Sequence, residues 1–233
     1  MRAFLAVLAL SAVLSCSSGS NDAATGDTAG IGADAAGSAS GDPDVAAIGG
    51  TGVPSGYVGR TDRPDQQLSG AKYAVSGNGW DVTTGPPHIL YRPADTASGA
   101  YTVSTTIDQL AAPAHPEAYG VFVGGTGLDG ANQRYLYFLV RGTGEMLAKV
   151  RDGATTRNVF DWRKSAAVPT ANSSGQASYN LAVRVASDSV RFLVNGRQAA
   201  AAAAAGLPTS GVYGLRINHN LHVKAMPTTV TRP

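Results

Sequence analysis

The stretch 179–196, Tyr-Asn-Leu-Ala-Val-Arg-Val-Ala-Ser-Asp-Ser-Val-Arg-Phe-Leu-Val-Asn-Gly, constrains the chain more than any other. Leu181, Val183 and Val185 alternate with Ala182, Arg184 and Ala186, and Val190, Phe192 and Val194 alternate with Arg191, Leu193 and Asn195. Apolar residues at every second position are the signature of a strand with one face in a core. Ser187-Asp188-Ser189 supplies a turn between the two runs. Asn195-Gly196 is the dipeptide that tolerates positive φ and starts a second tight turn. A helix cannot carry this pattern, so this part of the chain is expected to be an antiparallel meander.

The rest of the chain from about residue 66 repeats the theme. Strands are expected at 73–76, 80–82, 88–91, 101–107, 119–123, 134–140, 146–150, 156–160, 211–217 and 221–224, separated by Gly, Pro, Asn and Asp. Asp152-Gly153 is a further hairpin signal. Ala199–Ala205 could open a helix on propensity alone, but seven residues are too few for a stable isolated helix. A loop or weak edge strand is expected there instead. Many short strands without intervening helices predict an all-β fold, either a two-sheet sandwich or a barrel.

The beginning of the chain is different. Met1-Arg2 followed by the apolar run Ala3–Leu14 is too short to span a bilayer and has the form of a secretion signal, 1–15. It leads into Val13-Leu14-Ser15-Cys16, which resembles a bacterial lipobox, and Cys16 is the one cysteine of the chain. A single cysteine forms no internal disulfide, so Cys16 is read as a lipid attachment point. Ser17, where a retention signal carries Asp, points to an outer-membrane lipoprotein of the cell envelope, with the membrane as a partner. Residues 16–65 are read as a flexible tether rich in Gly, Ser, Ala and Asp, with a span of roughly 40 Å on coil scaling. The folded domain is placed at 66–233.

Charge separates along the same line. The chain holds 18 basic and 16 acidic residues; setting aside Arg2 and Asp22, Asp27, Asp34, Asp42 and Asp44 leaves 17 against 11, a net +6. The basic residues are scattered singly, with no stripe for nucleic acid.

The runs Tyr119–Gly125, Tyr135–Arg141, Leu181–Gly196 and Gly211–Arg216 resemble the concanavalin A-like lectin/glucanase superfamily, in its laminin-G-like and 3-keto-disaccharide-hydrolase-like branch, over about 72–230. That resemblance implies a jelly roll of two curved antiparallel sheets, and it brings glycans into view as candidate partners. The family's Glu-x-Asp-x-x-Glu catalytic strand is absent, and the two glutamates, Glu117 and Glu145, stand apart in the sequence. No catalytic residue is assigned; an acid pair would have to be assembled across strands from Asp81, Asp108 or Asp161. A non-catalytic glycan- or surface-binding module is the expected function. A glycoside-active hydrolase and a structural envelope protein are the alternatives.

Sugar binding needs an aromatic platform beside polar groups. Trp162, flanked by Asp161 and Arg163, is the first candidate, and Trp80 beside Asp81 the second. The dinucleotide-type pattern Gly125-Thr-Gly-Leu-Asp-Gly130 runs into another strand rather than a helix and is read as a connection. His219 and His222 lie three apart, on opposite sides of a strand, so they are not paired on a metal, and no metal or cofactor is expected. His88 and His115 stand beside prolines without further meaning. Asp129 and Asn132 could offer oxygens to calcium, but a turn accounts for them.

Overall fold

The computed structural model describes residues 52–233; the signal segment, Cys16 and most of the tether lie outside them. The described chain is all-β, with fifteen strands and a single 3-10 turn at Leu68–Gly70. The strands are β1 (Val58–Thr61), β2 (Lys72–Ser76), β3 (Gly79–Thr83), β4 (His88–Ala97), β5 (Tyr101–Gln109), β6 (Ala118–Thr126), β7 (Arg134–Arg141) and β8 (Glu145–Asp152). They continue as β9 (Thr155–Lys164), β10 (Ala177–Val185), β11 (Ser189–Val194), β12 (Arg197–Ala203), β13 (Gly211–Ile217), β14 (His222–Ala225) and β15 (Thr229–Thr231). No helix among them is long and apolar enough to cross a membrane.

Two antiparallel sheets form a jelly-roll sandwich. One runs β1-β4-β13-β6-β7-β8-β9, the other β12-β11-β10-β5-β14-β3-β2, with β15 sharing an edge of β5 with β14. The 179–196 hairpin is in the second sheet, Leu181 opposite Val194 and Val185 opposite Val190. Asn195 (φ 50°) and Gly196 (φ 74°) both take the left-handed conformation, as a type I′ turn requires, and the Asn195 carboxamide oxygen accepts from the Asn180 backbone N–H at 2.8 Å. The alanine run becomes edge strand β12, paired along β11.

Between the sheets lies the main core. Leu136, Phe138 and Val140 of β7 point inward with Val121 of β6 and Ala148 of β8, against Val183 and Phe192 of the opposite sheet. The Phe138 and Phe192 ring centroids are 5.2 Å apart. Trp80, expected as a ligand platform, belongs to this core: it is 8% exposed and meets Tyr57 edge-on at 4.9 Å. Its neighbours Asp81 and Val82 fall on opposite faces of β3, and the indole takes the buried side with Val82. An indole inside the sandwich offers no face to a ligand.

The boundary expected at residue 66 comes too late in the chain. Val58–Thr61 pairs with β4 in full register, from Val58 opposite Tyr91 to Thr61 opposite His88, and the Asp62 backbone N–H donates to the Pro87 carbonyl at 3.1 Å. The period-two signal is missing there because β1 is a short edge strand whose residues Val-Gly-Arg-Thr do not alternate.

Candidate functional site

The seven-stranded sheet has a second populated face, turned away from the main core. Because β7 buries both sides, its sequence Tyr-Leu-Tyr-Phe-Leu-Val reads as an unbroken apolar run; Tyr135, Tyr137 and Leu139 go to this outer face. Leu147, Lys149 and Arg151 of β8 share it, Tyr137 opposite Lys149 and Tyr135 opposite Arg151. One register row crosses Arg60, Ile89, Arg216, Gly120, Leu139 and Leu147. Gly120 is required in that row: a Cβ there would stand 1.9 Å from the Phe138 carbonyl oxygen.

Charge is concentrated at one end of this face. Arg216, 1% exposed, makes a two-pronged ion pair with Asp62, one prong Nη1 to Oδ1 and the other Nη2 to Oδ2 at 2.6 Å. Burial alone would lower the Arg216 pKa, but the Asp62 carboxylate reverses that and holds it well above the ordinary value. The Arg216 guanidinium also stands 5.5 Å from the Tyr137 ring centroid. Arg151 fixes the same segment from below: its Nη2 donates to the Asp62 carbonyl at 2.8 Å and its Nε to the Gly153 carbonyl at 2.9 Å. The Tyr135 hydroxyl, desolvated among these charges, has its pKa pushed up to about 12.

Beside this cluster opens a groove of about 660 Å³. Its walls are the segment 59–68, the 127–133 connection and the β8–β9 turn, and it presents Arg60, Asp62, Gln66, Asp129, Gln133 and Arg151. Backbone carbonyls hold several of these: Arg60 Nη1 donates to Leu128 O at 2.7 Å, and Gln133 Nε2 to Gly153 O at 3.4 Å. The Arg60 Nε–H is buried and makes no hydrogen bond among the described residues. A buried donor without a protein acceptor needs water or a ligand. The glycine-rich 125–130 connection forms one wall of this groove and leads into β7, with no helix, as the sequence indicated. Asp129, weighed for calcium with Asn132, lies in that wall, in the turn that Gly130 N closes on the Gly127 carbonyl at 3.1 Å.

The expected Trp162 site is arranged differently from the sequence reading. Asp161, Trp162 and Arg163 lie inside β9, where a bulge interrupts the pairing: Met146 is opposite Arg163, but Ala148 is opposite Phe160. Three steps on β9 match two on β8, so period-two alternation fails there. Phe160 and Arg163 therefore come together, the guanidinium 4.3 Å from the ring centroid, while Trp162 packs with the outer-face cluster. Arg141 lies over the indole at 3.6 Å, already covering one face of the half-buried ring. Asp161 accepts from the Trp162 backbone N–H at 2.8 Å.

The other carboxylates considered from sequence are dispersed. Asp81 and Asp108 flank Lys224 across β3, β14 and β5, bonded to His222 at 2.9 Å and Ser178 at 2.6 Å. Asp161 is on the other sheet. His88 is sealed inside: Nδ1 donates to the Pro86 carbonyl at 2.8 Å and Nε2 accepts from the Tyr73 hydroxyl, and burial brings its pKa down to about 4.

Sequence reasoning missed Arg60 and Asp62, which fell in the tether, and Gln133 and Arg151. A signal for Arg151 was present, since Met-Leu-Ala-Lys-Val-Arg places two cations inside an apolar strand, where a charge survives only with a partner.

Taken together, the two sheets and the walled groove define a jelly-roll sandwich with a polar recess on one sheet. Among solved structures the chain is similar to the carbohydrate-binding module CBM66 from Bacillus subtilis, with a TM-score of 0.53 and 11% identity over 78% of this chain and 98% of that one. A protein of unknown function with a galectin-like fold, also from Bacillus subtilis, aligns with a TM-score of 0.50 and 9% identity over 76% and 89%. No protein-family model matches the sequence, and no curated protein matches it. At such identities the likeness is one of fold.

Proposed function

We propose that this protein is a lipid-anchored component of the cell envelope that binds a glycan, without catalysis, in the groove between residues 59–68, 127–133 and the β8–β9 turn. The carrying observation is the groove itself: a recess of about 660 Å³ whose guanidinium and carboxamide groups donate to backbone carbonyls and whose Asp62 carboxylate is held by Arg216. Fixed donors and acceptors in a recess suit a hydroxyl-rich ligand, because the entropy of ordering them is already lost before binding. The carbohydrate-binding module among the structural neighbours supports this reading at the level of the fold. Asp62 is engaged with Arg216, which leaves Asp129 without a partner carboxylate for glycosidic acid–base work and favours binding over hydrolysis.

A glycan-array screen of the full chain tests it, with Gln133→Ala, Arg60→Ala and Trp162→Ala run beside the parent and their folds checked by circular dichroism. Binding weakened about tenfold or more by the first two, as loss of a charged or buried hydrogen bond entails, supports the groove. Loss confined to Trp162→Ala would move the site to the β9 edge, where Trp162, Asp161 and Arg163 were expected to form it. Binding to no glycan would reject the reading. For the anchor, Cys16→Ser should release the protein from the membrane fraction; retention there would dismiss lipidation.

A further inference from the structure

At one end of the sandwich the β5–β6 connection, 110–117, meets the β13–β14 turn, 218–221. Sequence reasoning treated His115 and Glu117 as isolated and set His219 against His222. The structure separates those histidines and gathers His115, Glu117 and His219 instead. The three offer one ligand atom each, all within 4.8 Å of one another. His115 Nδ1 stands 3.2 Å and His219 Nε2 3.4 Å from the same oxygen, Glu117 Oε1.

We infer that His115, Glu117 and His219 form a zinc-binding site. Two imidazoles and a carboxylate are a zinc donor set, and three protein ligands leave a fourth position open. With metal–ligand bonds of about 2.1 Å, the edge of a tetrahedron between two ligands is about 3.4 Å, which both nitrogen–oxygen separations approach. The imidazole centroids are 5.1 Å apart and tilted by 54°, as two rings converging on one point from different segments would be. Calcium and magnesium want shells of oxygen and do not suit this set.

The surroundings are those of a prepared site. Asn218 Nδ2 donates to the other carboxylate oxygen, Glu117 Oε2, at 3.1 Å, which orients Oε1 toward the histidines. The Asn218 backbone N–H donates to Ala118 O at 3.0 Å, joining the two ligand-bearing segments. Thr84 holds the far side of the turn, its Oγ1 accepting from the Leu221 N–H at 2.8 Å. Access comes from the His115 side, where that side chain is 47% exposed against 11% for Glu117 and 17% for His219. An adjoining pocket of about 210 Å³, bordered by His115, Glu117, Gln109 and Thr143, gives room for a fourth ligand.

The test is calorimetric titration of zinc chloride into the untagged, chelator-treated full chain carrying Cys16→Ser, so that the thiol does not compete. One equivalent should bind, and His115→Ala, His219→Ala and Glu117→Ala should each abolish that binding. Asn218→Ala should weaken it about 10–100-fold, the usual effect of removing a group that orients a ligand. His222→Ala should bind as the parent does, and calcium should give no heat. Cobalt in place of zinc adds a second readout, the intense visible absorption of a tetrahedral site. Absence of stoichiometric zinc binding in the parent, or its survival in the folded His115→Ala/His219→Ala double variant, overturns the inference.

Discussion

The two faces of the seven-stranded sheet are built on different physics. Toward the other sheet, Leu136, Phe138 and Val140 of β7 meet aliphatic and aromatic partners, and any set of similar volume would hold the layers together. On the outer face the same strand supplies Tyr135 and Tyr137 to a neighbourhood containing Arg216, Asp62 and Arg151. A buried ion pair is weak support for stability, because desolvation of both charges offsets most of their attraction. Its effect is positional. It fixes the chain from β1 onward against β13 and so shapes one wall of the groove. One face keeps the layers together, and the other sets the geometry of a site.

That comparison can be broken most sharply at the ion pair. Asp62→Ala leaves Arg216 charged and buried, and should cost about 3–5 kcal/mol in urea denaturation. Replacing both, Asp62→Leu with Arg216→Met, should be near neutral or stabilising by about 1–4 kcal/mol. If the double variant is as unstable as the single one, the pair stabilises the fold itself and the contrast between the faces fails.

His88 provides the next largest effect. Its folded pKa, about 4, lies below the ordinary 6.5, so between those values the unfolded chain binds more protons and stability rises with pH. The contribution is fully present above pH 6.5 and is lost on acidification to pH 4, by on the order of 3 kcal/mol. Denaturation curves across that window should show the slope, and His88→Gln should flatten it while lowering stability at pH 7.

Gly120→Ala tests how the outer face was made level. The added Cβ meets the Phe138 carbonyl oxygen, a backbone atom that cannot swing away, and overpacking of this kind costs about 1–3 kcal/mol or more. Loss of that stability with no change in inner-face aromatic packing would place the strain on the outer side alone. The smallest effect is expected at Arg141→Ala, which removes the cation over Trp162 and should cost about 0.5–1 kcal/mol. Acrylamide quenching of tryptophan fluorescence should rise in that variant, since the other tryptophan, Trp80, is in the core.

The sequence alone determined the class of fold. Alternation in 181–194, Asn195-Gly196 and the spacing of breakers depend on local backbone geometry, and local geometry is written residue by residue. The alanine run, too short for a stable helix and expected as a loop or weak edge strand, became edge strand β12. Register irregularities and meetings between distant segments are not local. The β9 bulge put Arg163 beside Phe160 and left Trp162 with the outer-face cluster, Trp80 turned into the core, and β1 took the place of tether, because each outcome depends on which strand lies alongside. Asp62 and Arg216 are 154 residues apart, and His115 and Glu117 reach His219 only through the pairing of β6 with β13. Side-chain periodicity reports which face a residue occupies, whereas a site requires that faces from separate strands converge, and that was decided only when the two sheets closed.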